Sequence, residues 1–576
     1  MSADLPAAPA APPKLSAVEG VKEQSRFLRG GIAADLATPG ISVTEESYNL
    51  LKFHGSYEQY DRDTATARKK QGLEKEYQFM IRARIPGGRI TADQYLALDA
   101  IADRYANGSV RITTRQGIQF HGVLKGNLKA TIADINHSML TTMSACGDVV
   151  RNVMTTPAPI RDAVHARLEA DARFLSTRLL PKSRAYYELF LDEESQTPAE
   201  SVPESGGEPL YGATYLPRKF KIGLAVPEDN TVDILTHDLG ILAVFEGDQL
   251  QGYNLNLGGG HGLTHTKPGT YARMGSPIAS VGPGELLQGA EAVIRLYRDH
   301  GNRADRKRAR LKYVLDDMGL DWTRKELERQ FGRVLADPLP HAPFQVPDHL
   351  GWHEQGDGRF WLGLPVASGR IQDGPQIRLR TALRTLFENW AKPAVLTPQQ
   401  DILIADIAPA ERDEITAHLR SHGVVFAEDL TAVHRWALAC PALPTCGLAL
   451  SEAERIREPV IDAFEAVLRR HGLIDERISI RMTGCPNGCA RPYAGDIGIV
   501  GRTPGTFALF VGGDFEGTRL NAKLTEKVPE AAIADTLDPL FGAFARERLP
   551  GEGFGDWCHR QGVDKLATLL PGGKAL

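Results

Sequence analysis

Six cysteines occur among the 576 residues, and four of them fall in two short loops. Cys440 and Cys446 bracket "CPALPTC"; Cys485 and Cys489 bracket "CPNGC". Four thiolates from two loops can surround a metal centre. Zinc usually takes pairs spaced C-x2–4-C, and the gap from Cys440 to Cys446 is wider. The prolines and glycines of both loops suit an iron–sulfur cube. Spacing alone favours that cube and leaves structural zinc, or four unrelated buried thiols, open. Cys146 and Cys558 stand apart and read as packing thiols.

A second group could bind an anion. In "VRITTRQGIQFHG", read as one strand, Arg111, Thr113, Arg115, Gln119 and His121 share a face, with Val110, Ile112, Ile118 and Phe120 on the other. Such a face is either solvated or a site for a multiply charged anion, since guanidinium groups pair with carboxylates in bidentate fashion. "YLPRKFKIG" adds Arg218, Lys219 and Lys221, and "CGDVVRNV" adds Arg151.

Ordinary elements must position these residues. "YQFMIRARIPGGRI" alternates and turns at Pro86-Gly87-Gly88. "TADQYLALDAIADRYA" predicts a helix capped by Thr91, with Tyr95, Leu96, Leu98, Ile101 and Ala102 at helical spacing. The segment between the cysteine loops, "LSEAERIREPVIDAFEAVLRRHG", also reads as a helix. Residues 194–212 form a polar loop, and the proline-rich 335–350 a linker.

The chain repeats itself. Arg89-Ile90 matches Arg370-Ile371; Thr113, Gln116 and Ile118 match Thr397, Gln400 and Ile402. "THDLGILAV" (236–244) echoes "AGDIGIVGR" (494–502), and "YNLNLGGG" (253–260) echoes "FALFVGGD" (507–514). Four colinear matches imply duplication into a pseudo-symmetric α+β body with a site where its halves meet. The first half lacks the cysteine pairs. By chain order "YLPRKFKIG" stands where the second half has "RMTGCPNGC", so one half offers cations and the other thiolates.

The totals narrow the class. With 67 basic and 72 acidic residues the net charge is −5, which argues against a generic nucleic-acid binder. No apolar run approaches the roughly 18 residues of a membrane span. The Pro/Ala-rich start carries no secretory pattern and is expected to be disordered. Few cysteines in a long chain suit a reducing cytoplasm.

The motifs together resemble the sulfite and nitrite reductase family. They are "LKFHGSYEQYDRD", "RARIPGGRI", "RITTRQGIQFHG", "TYLPRKFKI", "GNRADRKRARLKY", "CPALPTCGLALSEAER", "TGCPNGCARP" and "GEGFGDW", in order over nearly the whole chain. "CPALPTCGLA" and "FHGSYEQYDRD" are more similar to the sulfite branch, that of sulfate assimilation and cysteine biosynthesis, than to the nitrite branch.

The resemblance implies a three-lobed, pseudo-two-fold α+β fold with ferredoxin-like half-domains. Its expected parts are an N-terminal partner-binding segment (1–75), a first half-domain (76–145), a first anion-binding domain (146–334), linker and second half-domain (335–425), and a cluster and siroheme domain (426–576). It implies a siroheme coupled to a 4Fe–4S cluster and six-electron reduction of sulfite to sulfide. Cys440, Cys446, Cys485 and Cys489 would be the cluster ligands, Cys489 also the axial ligand of the siroheme iron. Arg84, Arg151, Lys219 and Lys221 match the sulfite-binding cations. Arg111, Thr113, Arg115, Gln119 and His121 match the strand that holds siroheme carboxylates. Asn152, Gly258, Gly259, Gly260, Gln400, Arg303, Arg306 and Lys307 would complete the cofactor shell. Gln399 stands where relatives often carry Asn.

Neither "IPGGR" nor "LGGGHG" is a dinucleotide fingerprint, so no NADPH or flavin site is expected in this chain. Electrons would come from a flavoprotein subunit (FAD/FMN, NADPH-oxidising), as "KLSAVEGVKEQSRFLRGGIAADL" suggests by its likeness to the NADPH-dependent branch, or from a ferredoxin. The rival readings are a nitrite reductase and, from another class, a non-catalytic zinc protein.

Overall fold

The computed structural model describes residues 14–191 and 208–571; the residues before 14 and most of the expected loop 194–212 lie outside them. In chain order the strands are β1 (Ser56–Tyr60), β2 (Tyr77–Ala83), β3 (Arg89–Ile90), β4 (Val110–Ile112) and β5 (Ile118–Val123), then β6 (Ile222–Ala225), β7 (Leu239–Glu246), β8 (Gln249–Leu257) and β9 (Ser276–Val281). The second half supplies β10 (Gly351–Glu354), β11 (Phe360–Leu364), β12 (Arg370–Ile371), β13 (Ala394–Leu396) and β14 (Ile402–Ile407). It ends with β15 (Ala437–Ala439), β16 (Ile480–Thr483), β17 (Ile497–Thr503), β18 (Thr506–Val511) and β19 (Ala522–Pro529).

Four sheets result, and the duplication is visible in all of them. The outer pair run β1-β2-β5-β4-β12 and β10-β11-β14-β13-β3; the inner pair run β6-β7-β8-β9 and β15-β16-β17-β18-β19. The outer sheets exchange a strand. Arg370 pairs with Arg111, and Ile90 pairs with Ala394, so each Arg-Ile echo completes the other half's sheet. The turns before these strands make the exchange reciprocal. Gly88 (φ 74°) faces the Leu396 carbonyl and Gly369 (φ 73°) faces the Ile112 carbonyl; a Cβ would lie 2.2 and 2.1 Å from those oxygens. Only glycine fits such an approach.

The exchange means that sheets do not follow the linear boundaries. β1, inside the expected N-terminal segment 1–75, is an edge strand of the first sheet, whose other edge comes from residues 370–371.

The predicted helix spans Ala92–Tyr105, closed by a capping box in which Gln94 N donates to Thr91 Oγ1 (3.2 Å) and Thr91 N to Gln94 Oε1 (3.1 Å). Tyr95, Leu98, Ile101 and Ala102 are buried, and Leu96 is half-buried at the edge of the stripe. The helix between the cysteine loops spans Arg457–Arg470.

One local reading is corrected. Val110–Gly122 is not a single strand but the hairpin β4–turn–β5, with Thr113 N donating to the Gly117 carbonyl (2.8 Å). Alternation ran unbroken through the turn because no proline or asparagine marks it. Gln116 takes the positive φ (53°) instead, held by its own side chain: Nε2 donates to Gly87 O (3.1 Å) and Oε1 accepts from Thr155 N (3.0 Å). Arg111 still pairs with Gln119, so those two and His121 keep one face, while Thr113 and Arg115 lie in the turn.

The halves meet on a buried charge cluster. Asp233 and Arg491 sit at equivalent positions, one ahead of β7 and one ahead of β17, both left-handed (φ 51° and 56°). Asp233 Oδ2 lies 2.9 Å from Arg491 Nε and 2.7 Å from Arg481 Nη1. One buried carboxylate thus serves two buried guanidinium groups. Asp233→Asn is expected to cost about 3–5 kcal/mol, since removing one partner leaves buried charge uncompensated. Chemical denaturation checks this; a loss below about 1 kcal/mol would mean that the pair is solvated rather than buried.

Candidate metal centre

The parallel pairing of β15 and β16 gathers the cysteines. Ala439 is in register with Met482, so Cys440 and the Gly484–Cys485 turn leave the sheet at the same carboxyl edge. The helix Arg457–Arg470 is the crossover that parallel strands require. Gly484 N points at Cys440 Sγ (3.4 Å) and Asn487 Nδ2 at Cys485 Sγ (3.5 Å). Gly488 takes the left-handed turn (φ 65°), which brings Cys489 back toward Cys485.

The four thiols act on one another. Burial pushes the Cys440 thiol well above its ordinary pKa, and Cys489, Cys485 and Cys446 add to the shift. Burial, then Cys489, raises Cys446; the same two causes push Cys485 up to about 12. Thiols that resist ionising together are resolved by a cationic centre that takes all four as thiolates. Among the described residues no three His, Cys, Asp or Glu side chains are placed to share one metal ion.

The first half reaches this loop through its hairpin turn: Thr114 Oγ1 donates to the Cys489 carbonyl (3.0 Å). Nothing in the sequence marked Thr114. Beside it Arg115 donates Nη2 to Asn152 O (2.5 Å), while its Nε and Nη1 are buried without a partner. Burial, then Arg151, lowers its pKa to about 9. Both ring nitrogens of His121 are likewise buried and unpartnered, and burial, then Arg370 and Arg111, hold the ring neutral. Arg111 is committed elsewhere: Nη2 donates to Ala439 O (2.9 Å) and Nε to Glu454 (3.0 Å), which tie the first half to the cluster strand. Thr113 Oγ1 accepts from Gly117 N (3.2 Å) and shapes the turn; Gln119 Oε1 accepts from Arg111 (3.5 Å).

Lys219 and Lys221 also come here, but not by the symmetry expected of them. Ile222 pairs with Leu239 as Ile480 pairs with Ile497. The lysines therefore match Arg477 and Ser479, ahead of β16, and the cysteine loop matches Pro227–Thr231. Chain order had suggested a mirrored loop because both motifs flank the same strand. They nevertheless converge, since Cys489 is among the charges acting on both ammonium groups. Burial, then Arg151, lowers Lys219 to about 7; burial, then Arg115, lowers Lys221 well below its usual range. Both keep some accessible surface although atoms surround them, so they line a recess. Arg151 joins them, with Nη2 near the Tyr57 hydroxyl (3.4 Å).

Arg84 does not. Its guanidinium is sealed in the fold, donating to Ser176 Oγ (3.0 Å), Ser176 O (2.9 Å), Val150 O (3.0 Å) and Ser144 O (3.4 Å). The residue on the recess is Arg82, in register with Gln119, itself opposite Arg111. Arg82 has an unpartnered buried Nε and acts on Arg115 and His121. Arg82 and Arg84, two positions apart, could not be told apart by alternation, because the strand ends at Ala83 and turns Arg84 inward.

The wider shell divides. Asn152 Nδ2 braces the hairpin turn through Arg115 O (2.9 Å), and Gln400 Nε2 donates to Ser368 O (3.0 Å) as Gln116 does to Gly87 O. Gly258 to Gly260 pack against Leu315, Leu235 O and Arg310. Arg303 is spent on Glu19 (2.5 Å), Arg306 on Asp148 (2.9 Å), and Lys307 is exposed. Cys558 is buried in the cluster lobe core; Cys146 Sγ lies 3.2 Å from Arg82 Nη1, at the margin of the recess.

Thiols needing a cation, beside buried donors needing an anion, fit an iron–sulfur centre against an anionic macrocycle. The comparisons agree. The model of the nitrite and sulphite reductase 4Fe-4S domain matches residues 170–335 and 432–573, and that of the nitrite/sulfite reductase ferredoxin-like half domain matches 71–138 and 353–422. The chain belongs to this family, whose members are oxidoreductases with siroheme and a 4Fe–4S cluster. It is 46% identical to the sulfite reductase [NADPH] hemoprotein beta-component of Myxococcus xanthus, over 97% of this chain and 99% of that one. It is 44% identical to the protein of that name from Geobacillus kaustophilus (97% and 98%), and 42% identical to the sulfite reductase [ferredoxin] of Synechococcus elongatus (97% and 91%). The solved structure of Mycobacterium tuberculosis NirA shares the fold, with a TM-score of 0.78 at 24% identity over 96% of this chain and 97% of that one.

Proposed function

We propose that the protein is a sulfite reductase hemoprotein, reducing sulfite to sulfide with electrons from a separate protein. The observation that carries this is the meeting of four mutually coupled thiols with unpaired buried cations at the Cys489 loop. Cys440, Cys446, Cys485 and Cys489 would hold the cluster, Cys489 also reaching the siroheme iron. Arg115 and His121 have the free donors that siroheme carboxylates need. The bound cofactors supply the electron storage and the electron transfer to sulfite.

The chain's own part is binding and proton supply. Sulfite is a hydrated oxyanion, and desolvating it takes several charge-assisted hydrogen bonds at once. Arg82, Arg151, Lys219 and Lys221 would provide them, with Arg82 in the place first given to Arg84. A lysine lowered to about 7 holds and releases a proton at Nζ near neutrality, as departing oxygen requires. Arg82→Ala should therefore weaken turnover with the melting temperature nearly unchanged. Arg84→Ala should instead lower stability by about 1–3 kcal/mol through its unsatisfied carbonyl partners. The opposite pattern in steady-state kinetics and thermal melts would return Arg84 to the site.

The relatives' names support sulfite over nitrite, and an NADPH-linked donor more often than ferredoxin. Among the described residues no helix is long and apolar enough to cross a membrane, and reduced thiols suit the cytoplasm. Turnover of both anions with reduced viologen decides the substrate: a large preference for nitrite overturns the proposal. Reconstitution with each donor decides the partner.

A further inference from the structure

His261 is a buried imidazole that neither the fold nor the site accounts for. It follows the Gly258–Gly260 run, is 5% exposed, and both ring nitrogens are buried without a partner. A neutral imidazole carries one N–H donor and one acceptor, and leaving both unmade underground is costly. Burial, then Lys221 and Arg481, keep the ring neutral.

Its segment grips the turn between Cys485 and Cys489. Leu263 N donates to Pro486 O (3.2 Å), and a Cβ on Gly488 would lie 2.9 Å from His261 Cβ. The ring meets Tyr493 edge-on, centroids 5.7 Å apart. Lys312 Nζ fixes the backbone on either side, donating to Gly260 O and Gly262 O (3.0 Å each). The side chain is thus held against the turn, with no protein hydrogen-bond partner for either ring nitrogen.

We propose that His261 donates an N–H to the cofactor unit that the Cys485–Cys489 turn carries and so raises its reduction potential. This rests on the function proposed above. An N–H aimed at the sulfurs or their immediate shell favours the form that has gained an electron, and such bonds are a main means of setting iron–sulfur potentials.

The test is a spectroelectrochemical titration of the purified holoprotein, its His261→Leu variant and its His261→Gln variant, with iron, sulfide and siroheme content measured alongside. His261→Leu keeps bulk and loses the donor; His261→Gln keeps an N–H. The expected result is a shift to lower potential in His261→Leu, with His261→Gln near the parent. Loss of cofactor from His261→Leu alone also supports the proposal, because only the donor separates the variants. Equal potentials in all three overturn it, showing that a buried water satisfies the ring. Loss of cofactor from both variants overturns it too, showing that ring shape matters rather than its N–H. A parent protein without siroheme or cluster would sink the functional reading itself.

Discussion

Cys489→Ser is expected to abolish sulfite reduction while the chain stays folded. Cys489 meets the first half at its carbonyl, through Thr114 Oγ1 (3.0 Å). Its charge acts on Cys440, Cys446 and Cys485 and on both lysines. No other thiol joins the two groups in this way. A serine oxygen is a poor soft-metal ligand, so both cluster binding and its connection to the haem should suffer. The checks are sulfide production with reduced viologen and the visible spectrum. Full turnover in the variant would show that the bridging assignment is wrong.

Lys221→Met is expected to lower kcat for sulfite about 100- to 1000-fold, the range seen when one preorganised oxyanion donor is removed. The Soret band should remain, since Arg115, His121 and the cysteines are untouched. Lys219 gives the same site a pH signature. Its ammonium loses its proton as pH rises through about 7, and an anion then meets one cation fewer. Binding of sulfate, whose own charge is constant there, should weaken with rising pH over that window. Equal affinity from pH 6 to pH 9 would mean that anions bind elsewhere.

Much of the architecture was legible because duplication leaves paired signals. The Arg-Ile echo named the two strands that the halves exchange, and the β7 and β17 segments aligned without gaps. The two cysteine loops stood out in the sequence because each pair is close in the chain, and β15 and β16 bring both loops to one sheet edge. What failed depended on where strands end. Arg84 turned inward one residue past β2, the β4–β5 hairpin hid behind a glutamine in a glycine-like conformation, and the lysines proved to precede their strand rather than follow it. His261 and Thr114 gave no signal at all, because contacts between the halves have no local pattern.

The central claim is that the thiols of one half and the cations of the other hold a haem coupled to an iron–sulfur cluster. The absorption spectrum of the purified protein, read with its metal content, tests it most directly. The account predicts a coloured protein with a haem-like Soret band, acid-labile sulfide and iron in excess of the haem. A colourless protein with tetrahedral zinc would contradict it.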